Sequence, residues 1–208
     1  MADINPGEYK SSIGLDKVHI AEVTKDDASG YNSGEPEYFA PVAKASAKTP
    51  TASKTQYADD GAYDTVSSES ETTLEIEVTG LPLSLIAKTL GKTYNATNGM
   101  YIHGSGTAAP DYALSFRSKK SNGKYRYIQY LKGKFSMSDE EFKTLEESPE
   151  PITAKMTYTA IQTIYEFSTA GGKKERVKYT KVDEDVAASA ALAAGWFTQV
   201  NVPATVGP

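Results

Sequence analysis

The 208-residue chain has no cysteine, which removes disulfides, thiolate metal sites and cysteine nucleophiles together. Its two histidines are His19, in a stretch with two mixed faces, and His103, in a Gly-Ser loop. Neither has the neighbours that a catalytic triad or a zinc site requires. Nothing approaches the roughly 18 consecutive apolar residues that cross a bilayer as a helix. Residues 1–8 lack the basic region and apolar run of a secretory leader, so synthesis in a cytoplasm is expected. Aliphatic residues are scarce between Glu37 and Ser70, where small and polar side chains alternate and Pro41 and Pro50 interrupt. Such a stretch cannot supply a core of its own and reads as an exposed ribbon in search of a partner.

What is present favours strands. Fourteen tyrosines suit half-buried β surfaces and interfaces, and 39% hydrophobic content suffices for a core at this length. Leu74, Ile76 and Val78 alternate with Glu75, Glu77 and Thr79, the pattern of a strand with an aliphatic face inward and a charged face outward. After Gly80 the period changes. Leu83, Ile86, Ala87 and Leu90 fall on one stripe of a helix, Pro82 suits its first turn, and Gly91 suits the left-handed position that ends it. So short a helix is marginal alone and must dock on a sheet.

Other elements follow by the same rules. Residues 17–24 read as a first strand, and residues 112–119 turn through Asn122-Gly123 into 125–132, the strongest hairpin signal in the chain. Residues 152–167 are β-branched and aromatic in type, and Gly171-Gly172 returns them through 173–182 as a second long hairpin. Ser138 and Glu141 make a capping-box pattern for a short helix or ordered loop within 136–147. Residues 183–195 are alanine-rich and helical in type. The expectation is one mainly β domain, sandwich- or barrel-like, with one short α-helix packed on a sheet. Residues 1–16 read as an N-terminal arm, 37–70 as an extended inter-subunit loop and 183–208 as a C-terminal arm.

The net charge of −5 is segregated along the chain. Lys44, Lys48 and Lys54 precede a run of Asp59, Asp60, Asp64, Glu69, Glu71, Glu75 and Glu77. Arg117 to Lys134 is basic, and Asp139 to Glu147 is acidic. Solvated faces account for any single block, whereas four alternating blocks favour complementary contact between copies. Asp59-Asp60-Gly61 with Asp64 does not have the spacing of a twelve-residue calcium loop, and turns collect aspartate for local reasons. In the hairpin 117–134, Tyr125, Tyr127 and Tyr130 interleave with cations, as in single-strand nucleic-acid binders. The competing reading is tyrosines packed in a hairpin and lysines guarding a sheet edge. No catalytic residue, cofactor site or metal ligand set emerges, and enzyme is the weakest functional class.

The order and phrasing of these stretches resemble the major tail proteins that form the tail tube of long-tailed, non-contractile bacteriophages. Residues 14–21 (Gly-Leu-Asp-Lys-Val-His-Ile-Ala) come first, followed by the Ala-Thr-rich ribbon and Tyr57-Ala-Asp-Asp-Gly61. Residues 74–81 (Leu-Glu-Ile-Glu-Val-Thr-Gly-Leu) and the helix closing at Leu90-Gly91 complete the likeness, which covers roughly residues 14–182. It implies a virion protein that assembles with itself as hexameric rings stacked into a tube. It implies tape-measure, tail terminator and distal tail proteins as partners, and double-stranded DNA passing without specific binding. On this reading Tyr57, Asp59, Asp60 and Tyr63 dock the ribbon between subunits. Glu75 and Glu77 face the lumen or pair with Lys44, Lys48 and Lys54 of another copy. Two alternatives stand beside it, a monomeric carbohydrate- or protein-binding β-sandwich and a single-strand nucleic-acid binder using the basic hairpin.

Overall fold

Alternating sequences become long strands in the computed structural model, which describes residues 10–105, 108–137, 144, 153–169 and 172–203. β1 (Ser12–Asp27) turns into β2 (Gly30–Ser33) where the Asp27 carboxylate accepts the N–H groups of Ser29 and Gly30. β3 (Glu37–Tyr38) then continues along the same side of β1. β4 (Val42–Lys48) pairs with β7 (Thr72–Val78), and β5 (Thr51–Ala58) with β6 (Gly61–Glu69) prolongs that hairpin past the sheet. Next come α1 (Leu83–Leu90) and a small hairpin of β8 (Thr93–Asn95) and β9 (Met100–Ile102). β10 (Tyr112–Lys120), β11 (Tyr125–Met137) and β12 (Ala154–Ala160) follow. β13 (Glu166–Ser168), β14 (Lys174–Arg176), β15 (Tyr179–Asp183), a 3-10 turn at Ala187–Ser189 and α2 (Ala190–Ala194) complete the described elements.

The main sheet runs β2-β1-β10-β11-β12-β7-β4, with every pairing antiparallel, and β15 and β3 join it from the side. β11 is the hinge of its curvature. Arg126–Tyr130 pair with β15, while Gly133–Met137 pair with β12, so one strand serves two neighbours on the same side. A register shift separates the pairs Tyr112–Gly133 and Leu114–Tyr130, and such irregularities bend a strand. Gly133 permits the bend, because a Cβ there would stand 2.5 Å from both the Thr159 carbonyl oxygen and the Tyr158 ring. The sheet curls around Ile20, Leu74, Ile76, Leu114, Phe135 and Tyr158 without closing into a barrel. The expected class is met, mainly β with one short helix on a sheet, and the barrel-like part takes the form of an open curl.

α1 covers the open side of the core with Ala87 and Leu90 buried and Ile86 packed behind them. Gly91 ends it in the left-handed conformation (φ +63°), where a Cβ would meet the Ala108 carbonyl oxygen at 2.5 Å. The stripe differs from expectation at one place. Leu83, the first helical residue, stays 50% exposed, and Leu85 takes its role against the core.

Several boundaries also differ from the expected ones. Ser12–Asp16, within the expected arm, is strand paired with β10. Phe39 and Ala40, within the expected ribbon, are buried in the core, and β4 lies in the sheet. The second long hairpin is not formed. Gly172 (φ +73°) does turn the chain, yet only three residues pair on each side, because β12 lies between β11 and β7 and β15 returns to β11. The 183–195 region is helical only at Ala187–Ser189 and Ala190–Ala194. Beyond it, Trp196 and Phe197 pack on Tyr127, and Gln129 and Asn201 exchange hydrogen bonds of 3.0 and 3.1 Å. Of the range 136–147 expected as a short helix or ordered loop, Ser136 and Met137 are the end of β11, and 138–143 and 145–147 lie outside the described residues.

Candidate assembly surface

The distal hairpin begins where the sheet stops. At its base the Thr49 and Thr72 hydroxyls meet at 2.7 Å, the Ser70 N–H donates to the Pro50 carbonyl, and the Lys178 ammonium donates to the Ser70 carbonyl at 2.6 Å. Beyond that clamp, β5 and β6 pair with each other and with no further strand among the described residues. All nine residues of β6 are exposed, as are all of β5 except the partly covered Thr55. A two-stranded hairpin is marginal in water without a face to bury, so what stabilises this one must come from its ladder or from contacts outside the chain.

The tip follows from its sequence. Asp59 (φ 49°) and Asp60 (φ 60°) both occupy the left-handed region, the requirement of the tight turn whose twist matches a hairpin. Aspartate reaches that region more readily than most residues because its short side chain bonds locally. Tyr63 is the extra residue of a β-bulge, since Tyr57 pairs with Ala62 and Gln56 with Asp64. Tyr57 and Tyr63 are 72% and 76% exposed, the most open aromatic side chains described, and Val66 is 66% exposed. The structure thus brings Tyr57, Asp59, Asp60 and Tyr63 together on one projecting tip.

Glu75 and Glu77 lie on the outward face of β7. Glu77 stands in register between Lys44 of β4 and Lys155 of β12, with the Lys44 ammonium 3.9 Å away, and Glu75 stands between Ser46 and Thr157. Within the subunit, then, Glu77 already has a lysine beside it. Lys54 lies apart, on the exposed distal hairpin.

The basic hairpin is answered from within the same molecule. Arg117 donates two hydrogen bonds to Asp16 (2.6 and 2.8 Å), and Arg126 donates two to Asp183 (both 2.6 Å). Lys120 is buried against Asp185, with Asp183 at 3.5 Å; Lys132 donates to Asp26 at 2.7 Å, and Lys134 approaches Asp111 at 3.3 Å. The hydrogen bonds from Arg117, Arg126 and Lys120 hold Asp16, Asp183 and Asp185 below the usual carboxylate range. Tyr127 and Tyr130 are buried. A cation already paired with a carboxylate releases little counterion on meeting phosphate, and a buried ring offers no platform to a base. Most of the hairpin's cations and two of its three tyrosines are thus taken up within the subunit, which weighs against the single-strand nucleic-acid reading. His19 stacks on Phe197 at 4.6 Å and His103 bonds the Tyr101 hydroxyl at 3.1 Å, so each has a local packing role.

Sequence reasoning missed Asp26. Its side chain is 3% exposed, and its carboxylate accepts Lys132 and the N–H groups of Ile164 and Tyr165, tying the loop after β12 to β1. The only local signal was an Asp-Asp pair before a turn, which gives no hint of a partner more than a hundred positions on.

No curated protein matches the chain. Residues 49–197 match the family of phage tail tube proteins. That span includes the projecting hairpin, both central strands of the curled sheet and Trp196, which is most of the described fold. Over that span, with a mainly β fold and a hairpin that no further strand joins among the described residues, the chain belongs to the phage tail tube proteins, structural components of the virion tail.

Proposed function

We propose that this chain polymerises with itself as stacked, hexameric rings into a tube that conducts DNA from the virion into a host, and that residues 51–69 reach from one subunit to another. The observation that carries the reading is the distal hairpin, which lies inside the family-matched span, exposes both faces and has two aromatic rings at its tip. At about 3.3 Å per residue its eight-residue strand reaches roughly 25 Å past the sheet, far enough to touch a second subunit. Head-to-tail contact of this kind is heterologous and open-ended, as filament growth requires. The conduit role is physical. Six chains of −5 give a ring a formal charge of about −30, and a net negative wall repels phosphate where a basic one would hold it. Tape-measure, terminator and distal tail proteins are the partners proposed for the tube's length and its two ends.

Removal of residues 51–69, with Pro50 joined to Ser70 through a short Gly-Ser turn, tests the reading. The sheet, including β4 and β7, should fold with unchanged circular dichroism, while electron microscopy of the purified subunit should show no tubes under conditions where the full chain forms them. Normal tubes from the deleted chain would overturn the proposed role of the hairpin.

A further inference from the structure

The curled sheet stays open where β1 and β4 approach without pairing, and the opening is built like a receptor. On one side β4 ends the sheet, pairing with β7 alone among the described residues. On the other, Ser12–Asp16 of β1 pair with β10, while β3 and β2 begin only at His19 and Val23. Between these two edges lies a groove of about 390 Å³, walled by Leu15 and Ala47 and floored by Phe116, Ile128 and Tyr130. Arg126 and Lys181 also line it, and no carboxylate does. Unpaired strand edges flanking an apolar floor are the features by which sheets accept an extended segment from another chain.

We infer that this groove receives the β5–β6 tip of a second copy, with Tyr57 and Tyr63 on its floor. Resting on the self-assembly reading, the inference names the surface that meets the hairpin. The tip carries what the groove lacks. Asp59, Asp60 and Asp64 are three carboxylates around two exposed rings, set against a lining in which Arg126 is already held by Asp183 but Lys181 has no carboxylate partner among the described residues. The Lys181 ammonium lies over the Tyr179 ring at 4.7 Å, a contact compatible with a carboxylate arriving from outside. Large aromatic residues seated in a desolvated pocket dominate association energies, and charge complementarity sets orientation. The groove and the tip lie on different parts of the subunit, so the contact does not close on itself and propagates from copy to copy.

The absence of cysteine makes the test direct. Two otherwise unaltered chains, one Ala62→Cys at the tip and one Ala47→Cys, are mixed, assembled and treated with a short bis-maleimide; Leu83→Cys, exposed on α1, replaces Ala47→Cys in the control. The expected result is a covalent heterodimer from the tip–groove pair and its loss in the control. In parallel, Ala47→Trp fills the groove and should raise the concentration needed for polymerisation about tenfold or more. Tubes that form without the tip–groove product and tolerate Ala47→Trp would overturn the groove while leaving self-assembly intact. No tubes from the unaltered chain would overturn self-assembly, and the groove with it.

Discussion

Asp26 shows how much one side chain can decide. Burial acts to raise its carboxyl, but the hydrogen bond from Lys132 and those from the Ile164 and Tyr165 N–H groups outweigh it and hold the carboxyl below its ordinary range. A carboxyl with a depressed folded value adds stability above the ordinary carboxylate pKa, near 3.9, and loses it as pH falls through the folded value. The urea midpoint of the subunit should therefore drop between about pH 5 and pH 2, and Asp26→Asn should flatten part of that slope. At neutral pH the same variant leaves Lys132, whose side chain is 10% exposed, with only the more distant Asp111 at 3.8 Å; a loss of about 2 kcal/mol is expected by urea titration. A change near the roughly 0.5 kcal/mol of ordinary surface substitutions would show that the pair does not anchor the loop. Gly133 is the second decisive residue. With a carbonyl oxygen and a tyrosine ring each 2.5 Å from where a Cβ would sit, Gly133→Ala must shift β11 against β12. About 2 kcal/mol of destabilisation is expected, read as a lowered denaturation midpoint with unchanged far-UV circular dichroism.

Among elements, the segment after β15 is held by charge at its start and by aromatic packing further on. Asp183 and Asp185 engage Arg126 and Lys120 beside the β10–β11 turn, and the lone tryptophan, Trp196, lies 1% exposed against Tyr127. Its fluorescence reports docking of this segment and of nothing else. Asp183→Asn combined with Asp185→Asn leaves the 2%-exposed Lys120 side chain without a carboxylate, so emission should shift to the red and stability fall by at least about 2 kcal/mol. Unshifted emission would assign the docking to aromatic packing alone. Such partners explain what was legible in the sequence. The strand–helix unit from Thr72 to Gly91 was readable because its periods are local, and so was the Asn122-Gly123 turn, where Gly123 sits at φ +83° and Asn122 caps the Lys124 N–H. The charge blocks misled because their partners are remote: Lys120 and Asp185 are 65 positions apart, and Lys132 and Asp26 are 106 apart. The second hairpin misled for a related reason. Gly-Gly predicts a turn, but nothing nearby says that β12 will be claimed by β11 and β7 instead. Of the candidate surface, the exposed tip was legible from its scarcity of aliphatic residues. The groove was not, since its walls come from β1 and β4, which the pairing order sets toward opposite ends of the sheet, and its floor from β10 and β11.

For the whole molecule, internal pairing leaves a surface whose sign is set by what remains after compensation, and a conduit depends on which face that remainder occupies. The outward face of β4, β7 and β12 alternates charge with hydroxyls: Lys44, Glu77 and Lys155 form one row, and Ser46, Glu75 and Thr157 the next. If this face lines the lumen, its two carboxylates keep the lysines from presenting an unopposed basic stripe to passing DNA. Glu75→Lys with Glu77→Lys would leave Lys44 and Lys155 without an opposing carboxylate and move each chain from −5 to about −1. In a tube that change repeats in every subunit, so attraction for phosphate accumulates along the channel and should vary steeply with salt. Tubes of the unaltered chain should leave a short DNA duplex open to nuclease at low salt. Tubes of the double variant should protect it, with protection lost as salt rises. Equal nuclease sensitivity in the two would place Glu75 and Glu77 away from the lumen, because an inward basic stripe repeated around a ring could not remain indifferent to a polyanion inside it.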